Sequence, residues 1–138
     1  MIIHETKIRV RYGETDQMGY VYHGNYAQYY EIGRTELMRS FGLSYDELEK
    51  SGILLPVISL NAKFIKPGRY DDLLTIKTTV KEMPTVKIHF NYDVINEKDE
   101  IISSGETTLV FVDAKTRKPM RAPKDFLERI RKSMDETQ

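Results

Sequence analysis

The chain contains no cysteine, which excludes a disulfide framework, a thiolate nucleophile and every zinc or iron-sulfur site built on cysteine sulfur. Whatever chemistry it performs must use oxygen or imidazole. An excess of either charge is also absent: 21 basic residues meet 21 acidic ones, so no overall field draws the chain onto nucleic acid or an anionic membrane. Nowhere do about 18 apolar residues follow one another, so no membrane span is expected. The opening "MIIHETKIRVRYGE" carries charge too early to hold the apolar stretch of a signal peptide, and a cytoplasmic protein is the expectation. Repeats, low-complexity segments and Ser/Gly-rich linkers are missing as well. That leaves no domain boundary in 138 residues, and one domain over 1–138 is expected.

Familiar catalytic signatures are missing too. There is no G-x-S-x-G elbow, no P-loop, no G-x-G-x-x-G after a strand and no H-E-x-x-H. His4, His23 and His89 are too scattered to suggest a metal ligand set, so neither a metal nor a cofactor is expected. The tyrosines fall at helix or strand spacing rather than among basic runs, which argues against a nucleic-acid partner.

What is present is strong periodicity. "TKIRVRY" alternates Ile8, Val10 and Tyr12 with Lys7, Arg9 and Arg11, which predicts a half-buried strand ending near Tyr12. From Asn25 to Phe41, Tyr26, Tyr29, Tyr30, Gly33, Leu37 and Phe41 recur at helical spacing. Gly33 inside that helix suggests a close approach by another backbone. "GLSYDELEKSG" predicts a short second helix, with Ser44 and Glu47 as a capping box and Gly52 as the stop. Four β-rich segments follow: "ILLPVISLNAKFI", "LLTIKTTVKE", "TVKIHFNYDVI" and "IISSGETTLVFVD". The short connections between them imply antiparallel neighbours. In the third segment Val86, Ile88, Phe90, Tyr92 and Val94 share the face expected to pack. A helix opening at Pro123 buries Phe126, Leu127 and Ile130, with a frayed tail expected at 135–138. The order predicts an α+β domain: a five-stranded antiparallel sheet against one long helix, with a short second helix and a C-terminal helix. Its open face and edges invite a partner subunit.

One stretch remains, "ETDQMGYVYHGNY" at 14–26. Asp16 lies in the loop after the first strand, and His23 and Gly24 precede or begin the long helix. Free N–H groups at a helix start can hold an oxyanion or polarise a carbonyl. A carboxylate facing them makes a two-part acyl-transfer site, and a thioester suits so minimal a site. A plainer reading stands beside it: Asp16 as a turn residue, Asn25 as an N-cap, His23 bonded to a neighbour. The tyrosines at 26, 29 and 30 read as core, and Glu14 and Glu31 as solvated.

The run "RVRYGETDQMGYVYHGNYAQYYEIGRTELMR" resembles the start of the hotdog-fold acyl-CoA thioesterases of the 4-hydroxybenzoyl-CoA thioesterase type, in particular their YbgC and FadM-like branch. "FIKPGRYDDLLTIKTTV" and "GETTLVFVD" extend the likeness more loosely. The resemblance implies a hotdog fold, with the sheet wrapped around the central helix, and hydrolysis of an acyl-CoA to the free acid and CoA. It makes Asp16 the nucleophile or general base. The backbone N–H near His23, after the aromatic Tyr22, polarises the carbonyl, and the His23 imidazole assists or orients. Gly24, Asn25 and Tyr22 take positioning roles, with a cap assigned to Asn25. It also implies a homodimer with sheets side by side and the active site at the interface, and tetramers as pairs of dimers. Phosphates on CoA ask for basic residues at the mouth, for which Lys66, Arg69, Arg117 and Lys118 are candidates. The acyl pocket is expected to be lined by the central helix and "ILLPVISL", with bulk from Gln17, Met18 and Tyr20 narrowing it. Other readings are a thioesterase acting on acyl carrier protein, a non-catalytic acyl-thioester-binding module and a structural oligomer.

Overall fold

A computed structural model describes residues 1–137 of the protein. Strand β1 (Ile2–Arg9) leads through a 3-10 turn (Tyr12–Glu14) and a loop into the long helix α1 (Asn25–Ser40), and the short helix α2 (Tyr45–Lys50) follows. Then come β2 (Ile53–Leu54), β3 (Val57–Phe64), β4 (Leu73–Val80), β5 (Lys87–Ile95), β6 (Ile101–Val110), β7 (Val112–Asp113) and helix α3 (Lys124–Thr137). Five strands form one antiparallel sheet in the order β1-β4-β5-β6-β3, and β2 pairs with β7. This is the α+β hotdog arrangement anticipated from the sequence, with α1 packed across one face of the sheet.

Period-2 alternation makes that face. Leu74, Ile76 and Val80 of β4 are buried, as are Ile88, Phe90, Tyr92 and Val94 of β5, while Lys87 and His89 face solvent. Gly33 lets α1 settle onto β4. A Cβ there would lie 2.8 Å from Ile76 Cγ2 and collide with Thr78 Oγ1, so the close approach is to side chains and not to another backbone. One turn earlier, Tyr30 stacks on Tyr92 with ring centroids 4.5 Å apart and shares a 2.6 Å hydrogen bond with Ser103 Oγ. Tyr92 shares another with Thr107 Oγ1 at 2.6 Å, so both buried phenols are satisfied. Helix α3 inserts Phe126 edge-on against Phe111 at 5.1 Å and buries Ile130 and Met134.

The structure departs from the sequence expectation in several places. β1 ends at Arg9, because the chain turns into the 3-10 segment where Glu14 takes the Arg11 N–H. "ILLPVISLNAKFI" breaks at Pro56, which has no N–H to give to a ladder, and β2 and β3 go to different sheets. The last β segment breaks at the fully buried Phe111, whose N–H goes to Val86 O at 3.0 Å. Consecutive strands β3 and β4 are not neighbours: β4 pairs with β1 and β3 with β6, so residues 65–72 cross the end of the sheet. That crossing leaves β3 as an edge strand with Val57, Ile58, Leu60 and Phe64 exposed. Helix α3 continues past Met134 to Thr137, and position 138 of the expected fray lies outside the described residues. No helix among the described residues is long and apolar enough to cross a membrane.

Candidate active site

The loop from Val10 to Gly24 is built around Glu14. Its carboxylate accepts the Arg11 N–H at 2.8 Å, the Arg11 guanidinium at 3.1 Å and the Tyr29 hydroxyl at 3.1 Å. Its carbonyl accepts the Tyr22 N–H at 2.9 Å and Asn25 Nδ2 at 2.7 Å. Glu14 is therefore not solvated: its side chain is 13% exposed. Burial pushes its carboxyl up, but the bonds from the Arg11 N–H, the Arg11 guanidinium and Tyr29 outweigh that and hold it below the ordinary value.

Inside this frame the chain reverses at 16–20. The Asp16 N–H donates to Tyr20 O at 2.8 Å, and the Gly19 N–H to Asp16 O at 3.0 Å. Gly19 has φ +78°, a left-handed conformation that glycine adopts without steric cost. Asp16 Oδ1 accepts the Met18 N–H at 2.9 Å and the Tyr20 N–H at 3.2 Å. Oδ2 has no hydrogen-bond partner among the described residues. The turn reading and the chemical reading of Asp16 thus fall on different oxygens. One fixes the carboxylate; the other is open.

Across from it, α1 begins in an unusual way. Gly24, and not Asn25, is the N-cap, with helical dihedrals of φ −63° and ψ −22° and no side chain to cap with. Asn25 is the first helical residue and spends its amide on Glu14, fastening the helix to the loop. The Asn25 N–H bonds Tyr22 O at 2.9 Å and the Tyr26 N–H bonds His23 O at 3.2 Å. The N–H groups left without a partner among the described residues are those of His23 and Gly24, a step earlier than a regular helix would leave them. The His23 ring packs against Tyr22 at 4.4 Å and edge-on to Phe64 at 6.1 Å. Tyr22 in turn lies over bare Gly24, where a Cβ would come within 2.7 Å of its ring.

A cleft of about 330 Å³ opens here, lined by Asp16, Met18, Tyr20, Val21, His23, Tyr26 and residues 64–67. Asp16, His23 and Lys66 are brought together in its wall, while Tyr22, Gly24 and Asn25 stand behind it. Lys66 is already paired with Glu100. Arg69 lies outside the wall with its guanidinium 5.1 Å from the Tyr20 ring centre, a cation–π contact. Arg117 and Lys118 sit in the turn after β7, where the Arg117 N–H bonds Asp113 O at 2.8 Å, and they do not line the cleft. Nor does 53–60, the segment expected at the acyl pocket; Phe64 and Ile65 line the cleft. Met18 and Tyr20 do crowd the cleft, whereas Gln17 is exposed and outside it. Sequence reasoning missed Glu14, Phe64 and the part Tyr26 plays here. Only Glu14 left a signal, three residues after Arg11 in a turn-forming stretch.

Asp16 and His23 thus line one cleft on this fold. Comparison with known proteins carries the assignment further. The profile of the Thioesterase-like superfamily matches residues 10–130. The chain is similar to the acyl-CoA thioester hydrolase YbgC of Escherichia coli O157:H7, with 31% identity over 120 residues, 87% of this chain and 90% of that protein. The crystal structure of the DHNA-CoA thioesterase of Staphylococcus aureus matches with a TM-score of 0.89 and 35% identity, covering 100% of this chain and 92% of that one. A chloroplastic acyl-acyl carrier protein thioesterase of Arabidopsis thaliana, ATL2, is 35% identical over 121 residues, 87% of this chain and 64% of that protein. The chain belongs to the Thioesterase-like superfamily, as a hotdog-fold acyl-CoA thioesterase of the YbgC-like branch. It is a thioester hydrolase.

The Glu14 frame gives a pH-dependent prediction. Its folded-state pKa lies below the ordinary 4.5, so the stability it contributes is present above that value and lost as pH falls through the lower one. Glu14→Gln should cost about 1–2 kcal/mol at pH 7, read by urea denaturation, with the gap to wild type closing as pH falls below the ordinary carboxylate range.

Proposed function

We propose that the cleft hydrolyses an acyl-CoA, with Asp16 Oδ2 as the reacting base or nucleophile and the His23 and Gly24 N–H groups as the oxyanion donors. The observation that carries this reading is that Asp16, whose Oδ2 has no hydrogen-bond partner among the described residues, lines the same cleft as His23, at the helix start where the His23 and Gly24 N–H groups are likewise unpartnered among those residues. Two routes fit the geometry. In one, the carboxylate attacks the thioester carbonyl, the C–S bond breaks as the thiolate leaves, and water then hydrolyses the mixed anhydride. In the other, Asp16 takes a proton from water as the water attacks, and returns it to the departing thiolate. Both end in a free acid and CoA. Backbone N–H donors are suited to the developing alkoxide because they are already aimed and need no reorganisation. The His23 ring, without a hydrogen bond of its own among the described residues, orients the acyl group.

Arg69 and Lys66 are the basic groups placed to meet CoA phosphates at the mouth. The Arabidopsis relative acts on acyl-acyl carrier protein, which favours a carrier-protein thioester as the second reading. Matched rates on CoA and carrier-protein thioesters separate the two. The unpaired apolar edge of β3 is suited to a second copy of the chain, giving a homodimer in which Phe64 and Ile65 bring the partner to the cleft. Pairs of such dimers would form a tetramer.

Asp16→Asn should lower kcat by about 10²–10⁴-fold while the melting temperature stays near that of the wild type; hydrolysis retained at the wild-type rate would remove Asp16 from the mechanism. The double substitution Ile58→Lys and Leu60→Lys should give a monomer by light scattering, and an unchanged oligomer would move the interface away from β3.

A further inference from the structure

The structure assigns a limit on acyl size to one residue: we propose that Tyr26 is the floor of the cleft and restricts the substrate to compact acyl groups, a single ring or a short chain. This rests on reading the cleft as the acyl site. Tyr26 lines the cleft, yet it is only 3% exposed, because its ring is wedged into the wall rather than lying on it. Its ring packs against Tyr29 at 5.5 Å and Phe64 at 5.3 Å. Its hydroxyl reaches Gly68, where an added Cβ would sit 3.4 Å from the phenol oxygen, 3.1 Å from Val21 and 3.2 Å from Ile102. The space left by the missing side chain of Gly68 is thus shared by Val21, Ile102 and the Tyr26 hydroxyl.

The next turn of the helix closes the route further in. Tyr30 is fully buried against Tyr92 and lies on Gly105, where a Cβ would come within 2.5 Å of its ring. Its hydroxyl is pinned to Ser103. Between α1 and the sheet, the path a long chain would follow is therefore occupied by two tyrosines in succession. The cleft that one chain shapes measures about 330 Å³, at the lower end of the roughly 300–1,000 Å³ typical of ligand sites. It must also admit the thioester and the end of the pantetheine arm. Methylenes beyond the cleft stay in water and add no binding.

The test is a series of CoA thioesters, acetyl to palmitoyl together with benzoyl, read as kcat/KM. The proposal expects a fall of at least about tenfold from the best compact substrate to palmitoyl. A flat profile, or one rising with length, overturns it. Tyr26→Leu should raise the palmitoyl-to-compact ratio by about tenfold, and Tyr26→Phe, which keeps the ring, should not. A folded Tyr26→Leu with the wild-type ratio would remove Tyr26 as the floor, and the wild-type profile decides the size limit even if that variant fails to fold. Calorimetry with non-hydrolysable thioether analogues of the same chains reads the limit without turnover. Absence of all hydrolysis would thus sink the hydrolase reading separately, and equal or tighter binding of the longest thioether would sink the size limit.

Discussion

The geometry of the site depends on one clamp, the bonds that Glu14 makes to both sides of the β1–α1 loop. Its carboxylate holds Arg11 and Tyr29, and its carbonyl holds Tyr22 and Asn25. Through Asn25 and Tyr29 the loop is fixed to the first turns of α1, and through α1 to the sheet. The Asp16 turn hangs inside that frame. Without it the loop would keep its bridges at Thr15–Val21 and Tyr20–Arg69 but lose its ties to α1, and a displacement of about 1 Å is enough to cost on the order of 10²-fold in rate. A surface ion pair alone would be too weak for this task; several bonds sharing one largely buried carboxylate are not.

Polar groups are distributed with the same economy. Asp16 gives one oxygen to its turn and keeps one. Asn25 forgoes the capping role its residue type favours and ties the helix to the loop, while the amides of His23 and Gly24 have no partner among the described residues. An unpaired N–H is costly when sealed from water, but here His23 lines an open cleft and Gly24 follows it directly in the chain. Beneath, two glycines let aromatic and aliphatic side chains interlock: Gly33 admits β4, and Gly105 admits Tyr30. The close seating of α1 that results fixes the helix start and fills the space a long acyl chain would need.

Much of this was legible in the sequence. Alternation along 86–94 gave the buried face of β5, helical spacing from Asn25 gave α1, and the Asp-centred loop before a helix pointed to the cleft that Asp16 and His23 line. What escaped depends on partners distant in sequence. A break at Pro56 follows from its missing N–H, but the destinations of the two pieces depend on β6 and β7, which come later in the chain. The crossing of 65–72 is of the same kind, since a short connection normally joins neighbours. Glu14 reads as a solvated charge until Tyr29 and Arg11 are seen to converge on it. Tyr26 reads as core, which it is, and only the folded loop shows that it also lines the cleft.

The central claim is that a thioester carbonyl binds between Asp16 and the amides of His23 and Gly24. The most direct measurement is a crystal structure of the Asp16→Asn protein with an uncleaved acyl-CoA bound. The account predicts the carbonyl oxygen within about 3 Å of one or both of those N–H groups, with the side chain at position 16 facing the carbonyl carbon. A thioester bound with its carbonyl directed away from the start of α1, and position 16 out of reach of the carbon, would contradict it.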